Sequence, residues 1–185
     1  MTRSPESIGR RLLEVQGWRE LRAPERALEI AQELHAEVPD SSDVVLELAR
    51  CLVALGRFAE ALPLLTTAAQ RPELAEEAFL AIGWCQKRLG RLDLAARAME
   101  DILRLDPKSS IGHYNLACYL ALAGDEPRCL AELKTALGLE PRYAASIDQE
   151  TDFDPVRGRP EFQQLRQWGL QELERRGTEP SPGLE

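Results

Sequence analysis

Residues 76–109 read EEAFLAIGWCQKRLGRLDLAARAMEDILRLDPKS, and the sequence after them repeats their pattern at a fixed offset of 34 positions. Gly90 aligns with Gly124 without a gap, and the same offset backwards reaches Gly56. A unit of two helices buries its apolar face only by stacking on another such unit. The period therefore predicts a stack of helical pairs.

Apolar residues recur at helical spacing in both halves of the unit, which predicts two amphipathic helices. The packing positions are Phe79, Ile82 and Gly83 in the first helix, and Ala95, Met99 and Ile102 in the second. Glycine at 90 tolerates the left-handed conformation that ends a helix, and Pro107 ends the second helix. Aromatic residues are only 5% of the chain, which favours helices packed through small residues over a β-sheet.

These residues resemble the tetratricopeptide repeat. The family pattern is matched in one unit by Phe79, Ile82, Gly83, Gly90, Ala95, Ile102 and Pro107, and in the next by Tyr114, Leu116, Ala117, Gly124, Ala136 and Pro141. Departures are His113 at a usually apolar place, Cys129 for alanine, and Pro72 one residue early. The resemblance implies an all-α fold, a right-handed superhelical solenoid of helix-turn-helix units with a concave groove lined by the first helix of each unit.

The period also divides the chain. We expect a divergent N-terminal repeat at 8–41, with Ser7 capping its first helix, then repeats at 42–75, 76–109 and 110–143, capping helices at 144–176, and a disordered tail at 177–185. The capping helices resemble the ends of many bacterial repeat proteins. The residues that carry this resemblance are Asp152, Phe153, Arg157, Pro160, Phe162 and Leu165.

A net charge of −8 argues against a general nucleic-acid binder, which needs clustered cations, and against attraction to an anionic membrane. The chain has no apolar run long enough for a signal peptide or a membrane span, so we expect a cytoplasmic protein. Cys51, Cys85, Cys118 and Cys129 lack metal-binding spacing and fall inside predicted helices. We expect them to be buried and reduced.

No nucleophile, base and orienting residue occur at a recognisable spacing, and no glycine-rich phosphate loop is present. We therefore expect no enzymatic activity and no cofactor. A metal-binding or enzymatic protein using the acidic segment 148–161 is the alternative of a different class. Its carboxylates fall at places 1, 3, 5 and 12 of a calcium-loop count (Glu150, Asp152, Asp154 and Glu161), but proline stands where the sixth place requires glycine.

The resemblance places function in the concave groove, where we expect a peptide or protein segment to bind. The candidate residues are Leu46, Arg50, Leu80, Trp84, Lys87, Arg88, Ile111, Tyr114 and Asn115. Trp and Tyr are typical of binding hot spots, although the chain's own N-terminal helix or cap is an alternative cover for Trp84. Glu47 and Ala81 stand where a clamp for a C-terminal carboxylate requires asparagine. A small secretion chaperone is the narrower alternative, and a homodimer remains open.

Overall fold

The computed structural model describes residues 5–177, which form helices joined by short turns and contain no β-strand. The helices are α1 (Pro5–Glu20), α2 (Pro24–Glu37), α3 (Ser42–Ala54), α4 (Phe58–Ala68), α5 (Pro72–Arg88), α6 (Leu92–Leu105), α7 (Ser110–Ala123), α8 (Glu126–Leu139), α9 (Tyr143–Ser146) and α10 (Pro160–Gly177), with a 3-10 helix at Thr151–Phe153. The predicted all-α fold class is confirmed. The predicted disordered tail lies, apart from Gly177, outside the described residues.

The chain divides into two compact units between Arg91 and Leu92. The first unit contains α1 to α5, and the second contains α6 to α10 and the 3-10 helix.

In the first unit each helix packs against the next along the chain, and α3 also contacts α1 and α5. The core is apolar, with Val15, Leu34 and Leu65 fully buried. Ala27 and Ala61 are also fully buried, and their small side chains let neighbouring helices approach closely. Short connections make successive helices antiparallel, as in other helical bundles.

Glycine ends the first helix of a pair as the spacing predicted. Gly56 has φ +71° and Gly124 has φ +80°, both in the left-handed region that favours glycine. The next residue in each turn donates its N–H back into the helix, at 2.9 Å from Arg57 to Leu52 O and 2.9 Å from Asp125 to Leu120 O. These hydrogen bonds satisfy carbonyls that a helix end otherwise leaves open.

One predicted helix boundary is wrong, and the displaced Pro72 begins a helix. Helix α1 begins at Pro5, so Ser7 lies inside the helix and does not cap it. Pro72 is the first residue of α5, which begins four residues before the repeat boundary at 76. Proline is favoured at this place because its fixed φ suits a helix and its missing N–H would have no intrahelical partner.

Four aromatic rings pack against one another in the second unit. The Tyr114 ring on α7 stacks on Tyr143 at 4.4 Å between centroids and meets the edge of Phe153 at 5.7 Å. Phe153 lies 5.5 Å from Phe162 of α10, and both phenylalanines are fully buried. Burying one such side chain stabilises the fold by about 2 to 3 kcal/mol.

Two arginines hold the C-terminal segment against these rings. Arg157 donates to the carbonyl oxygens of Ile147 at 3.2 Å and Glu150 at 2.7 Å. Arg176, near the end of α10, donates at 2.6 Å to the carbonyl oxygen of Gly138 at the end of α8. Both guanidinium groups thus satisfy backbone acceptors that lack a partner in regular structure.

The four cysteines are free and buried, as the sequence predicted. Burial raises the pKa of Cys51 and of Cys85 to about 11, and the pKa of Cys129 to about 12. Among the described residues, no helix combines the length and apolar character needed to cross a membrane.

Candidate partner-binding site

Six of the nine predicted groove residues belong to the first unit and three to the second. Leu46 and Arg50 lie on α3, Leu80, Trp84, Lys87 and Arg88 on α5, and Ile111, Tyr114 and Asn115 on α7. Their role in partner binding stays a prediction, and the structure gives the surroundings of each.

Trp84 has a side chain that is 42% exposed, which is high for an indole in a helical stack. Two cations lie over its ring, with Lys87 Nζ 5.1 Å and Arg88 Cζ 5.7 Å from the centroid. Arg88 also lies 5.5 Å from the ring of Phe58 at the start of α4. These cation–π contacts restrain the exposed indole in one orientation.

A pocket of about 260 Å³ lies in the same unit, between α1, α3 and α5. Its lining residues are Leu12, Gln16, Asp43, Leu46, Glu47, Arg50, Leu74 and Glu77. Leu46 is only 3% exposed and forms part of the apolar wall. Glu77 and Trp84 are seven positions apart, two helical turns, so they project from the same side of α5.

Glu47, which lines this pocket, carries a carboxylate and is only 3% exposed. Its Oε1 accepts a hydrogen bond from Gln16 Nε2 at 3.2 Å and another from Arg50. Its Oε2 lies 3.3 Å from Arg19 Nη2 but accepts no hydrogen bond. Arg50 also pairs with Glu77, so both ends of its guanidinium group are engaged by carboxylates.

Sequence reasoning missed the contribution of α1 to this site. Leu12 and Gln16 line the pocket and Arg19 reaches Glu47 from the same helix. Residues 8–41 match the repeat only weakly in their first half, so the family pattern could not place these side chains. The sequence does carry a signal in the i, i+4 and i+7 spacing of Leu12, Gln16 and Arg19, which puts them along one side of a helix.

The three residues on α7 differ in exposure. Ile111 is 38% exposed, whereas Tyr114 is 9% exposed and enclosed by the rings of Tyr143 and Phe153. Asn115 donates its amide to the carbonyl oxygen of Ile111, at 2.9 Å on its own helix. Burial is the main cause of a raised pKa at Tyr114. Ile111 is thus the α7 candidate with the most accessible apolar surface.

Two carboxylates of the acidic segment, those of Glu150 and Asp154, make contacts within the fold. Glu150 accepts a hydrogen bond from the Asp152 N–H at 3.2 Å, and Asp154 pairs with Arg157 at 2.7 Å. Asp152 is 7% exposed. In residues 5–177, no three His, Cys, Asp or Glu side chains converge as a metal site would require.

His113 ties α7 to its neighbours. Its Nδ1 lies 2.6 Å from Glu132 Oε2 on α8, and its Nε2 lies 3.1 Å from the carbonyl oxygen of Pro107. A separate apolar cleft of about 450 Å³ lies between α8 and α10, bounded by Leu130, Leu165 and Trp168.

Two sequence-family models match the chain, and both are described as tetratricopeptide repeat. One covers residues 19–76 and the other residues 77–109. A comparison with curated proteins finds no match.

Solved structures of MamA are similar to the chain in fold. One crystal structure of MamA superposes with a TM-score of 0.72 at 12% identity, covering 98% of this chain and 100% of that one. Another gives 0.70 at 13% identity, covering 89% and 97%. The structure designated MamA MSR-1 gives 0.64 at 22% identity, covering 76% and 82%.

Proposed function

Because the chain is a tetratricopeptide-repeat protein, we propose that it is a non-enzymatic interaction module that binds a peptide or protein segment on the face formed by α3 and α5. This face, which we call the α3/α5 face, carries Trp84 and the pocket that contains Glu47. The narrower role of a secretion chaperone for an effector or translocator would be one form of this activity. A homodimer and a cytoplasmic location stay predictions.

The exposure of Trp84 carries the proposal. An indole that leaves 42% of its surface in water forgoes the stabilisation that burial would give. Trp is also the residue type most enriched among binding hot spots. The cations over its ring reduce the entropy that a partner would have to remove on binding, because the indole is already oriented.

The α3/α5 face combines apolar and charged groups in the way that interfaces do. Trp84 and the half-buried Leu80 supply apolar surface, and Arg88 and Glu77 flank them with opposite charges. An apolar centre with a polar surround excludes water while fixing the orientation of the partner. The face is therefore suited to an extended segment with a large apolar anchor.

Selection of peptides from a displayed random library on the immobilised chain tests the proposal. We expect peptides whose binding weakens at least about tenfold in Trp84→Ala, since hot-spot truncation typically costs 2 kcal/mol or more. Circular dichroism checks that helicity is kept.

Trp168→Ala is the matched control, because it removes the same side chain from the cleft between α8 and α10. Peptides that bind Trp84→Ala as tightly as the wild type would refute the proposal. So would peptides that lose affinity only in Trp168→Ala, because they would occupy the other cleft.

A further inference from the structure

The pocket between α1, α3 and α5 retains negative charge. Three of its eight lining residues are acidic, Asp43, Glu47 and Glu77, and one is basic. The basic residue, Arg50, is engaged by Glu47 and Glu77, and Arg19 approaches Glu47 as well. Asp43 is exposed at the rim and makes no ion pair with any described residue. Among the residues that line the pocket, its charge is the one left without an ion pair.

A second observation concerns the buried carboxylate of Glu47. Glu47 is 3% exposed and lines the pocket, yet its Oε2 accepts no hydrogen bond. The charge of Arg19 balances this oxygen, since its Nη2 lies 3.3 Å away, but it does so without a hydrogen bond. A positively charged ligand in the pocket would add a favourable electrostatic interaction with this buried carboxylate.

The walls of the pocket suit the stem of a long cationic side chain. Leu12, Leu46 and Leu74 supply apolar surface between the carboxylates. Lysine and arginine carry a charged head on a flexible apolar stem, and they bury the stem against apolar surface while the head keeps polar contacts. The volume of about 260 Å³ accommodates one such side chain.

We propose that this pocket receives a lysine or arginine side chain of the bound segment, so that the chain recognises segments containing a basic residue. The inference rests on the proposed function, because it assigns specificity to the α3/α5 face. Glu77 and Trp84 are separated by seven positions, or about 10 Å along the helix axis. An extended segment rises about 3.3 Å per residue, so its apolar anchor on Trp84 lies about three positions from the basic residue.

The pocket is tested with small probes and the ¹⁵N-labelled full chain. The probes are Nα-acetyl-lysine N-methylamide, its arginine counterpart and its norleucine counterpart, which keeps the stem and lacks the charge. We expect saturable shifts of the Asp43, Leu46 and Leu74 amides with the two cationic probes only. Equal shifts with norleucine, or cationic probes that leave these amides unmoved, would overturn the inference.

Asp43→Asn removes the unmatched charge without breaking an ion pair within the described residues. We expect it to weaken the lysine probe about two- to fivefold, the range of an exposed charge pair. Asp93→Asn is the matched control, since Asp93 is also an exposed aspartate in the first turn of a helix and does not line the pocket. Equal weakening by both variants, or by neither, would contradict a local role for Asp43.

Different experimental results would contradict the proposed binding face and the basic-residue pocket. Peptides that depend on Trp84 but show no enrichment of lysine or arginine would remove the basic-residue inference and leave the binding function intact. Cationic probes that bind the pocket while no selected peptide depends on Trp84 would leave the pocket and remove the proposed binding face.

Discussion

Trp84 on α5 and Tyr114 on α7 differ in how much of the side chain is buried within the fold. Tyr114 on α7 is covered by Tyr143 and Phe153, which the chain supplies from its C-terminal segment. Trp84 on α5 is covered by two cations of its own helix and stays 42% exposed. The first helix of a repeat therefore either has its large side chain covered by the chain's own C-terminal segment or leaves it partly exposed to solvent. Exposure, and not residue type, separates the two cases.

Two charged groups, one in each unit, also differ in how completely the fold supplies their hydrogen bonds. Arg157 in the second unit donates hydrogen bonds to two backbone carbonyl oxygens, so its guanidinium group stabilises the fold. Glu47 in the first unit keeps an oxygen without a hydrogen bond next to a pocket. Most buried polar groups in folded proteins are hydrogen-bonded, so the Glu47 oxygen is an exception that needs an explanation.

The largest expected effect is the difference in unfolding free energy between variants of the two aromatic residues. Tyr114→Ala removes a buried, stacked ring, and we expect it to lower the free energy of unfolding by about 3 to 5 kcal/mol. Trp84→Ala removes a ring that is 42% exposed, and we expect a smaller loss of about 1 to 2 kcal/mol. Urea denaturation followed by circular dichroism measures both. Similar losses in the two variants would show that Trp84 is structural.

Overpacking of the second unit gives a smaller effect. A Cβ at Gly169 of α10 would lie 3.0 Å from Ala144 Cβ and 3.0 Å from Leu137 Cδ1. We expect Gly169→Leu to lower the unfolding free energy by about 1 to 3 kcal/mol, measured by thermal and urea denaturation. Gly158→Ala is the control, because a Cβ there meets nothing within 4 Å. A destabilised control with an unaffected Gly169→Leu would contradict the packing.

An exposed ion pair gives the smallest effect. Hydrogen bonding from Arg142 is the main cause that lowers the pKa of Glu140 to about 2, from 4.5. A lowered carboxyl pKa stabilises the fold above pH 4.5, and this contribution disappears as pH falls from 4.5 to 2. We expect Arg142→Met to return the Glu140 pKa towards 4.5 in an NMR titration. An unchanged pKa in the variant would assign the shift to other groups.

The sequence predicted the features that depend on spacing along the chain. Gly56 and Gly124 end their helices, because backbone preference acts locally. The start of α5 at Pro72 was not predicted. Proline both ends and begins helices, and the spacing alone assigned Pro72 to the end of α4.

Other features depend on contacts between distant residues. Tyr114 was expected to line the groove, and its burial results from Tyr143 and from Phe153 nearly forty positions later. The pocket was not predicted, because Gln16 and Arg19 come from the weakest repeat and meet Glu47 only in the folded unit. A repeat pattern predicts which face of its helix a side chain occupies. It does not predict which distant residues pack against that face.

The buried cysteines give each unit an internal reporter of opening. Cys51 and Cys85 lie in the first unit, and Cys118 and Cys129 in the second. A thiol that is buried and has a raised pKa is almost entirely protonated at neutral pH, so it reacts with an alkylating reagent only after local opening. The rate at which each pair is alkylated therefore measures the opening of its own unit, and a partner that stabilises one unit would slow the reaction of that pair.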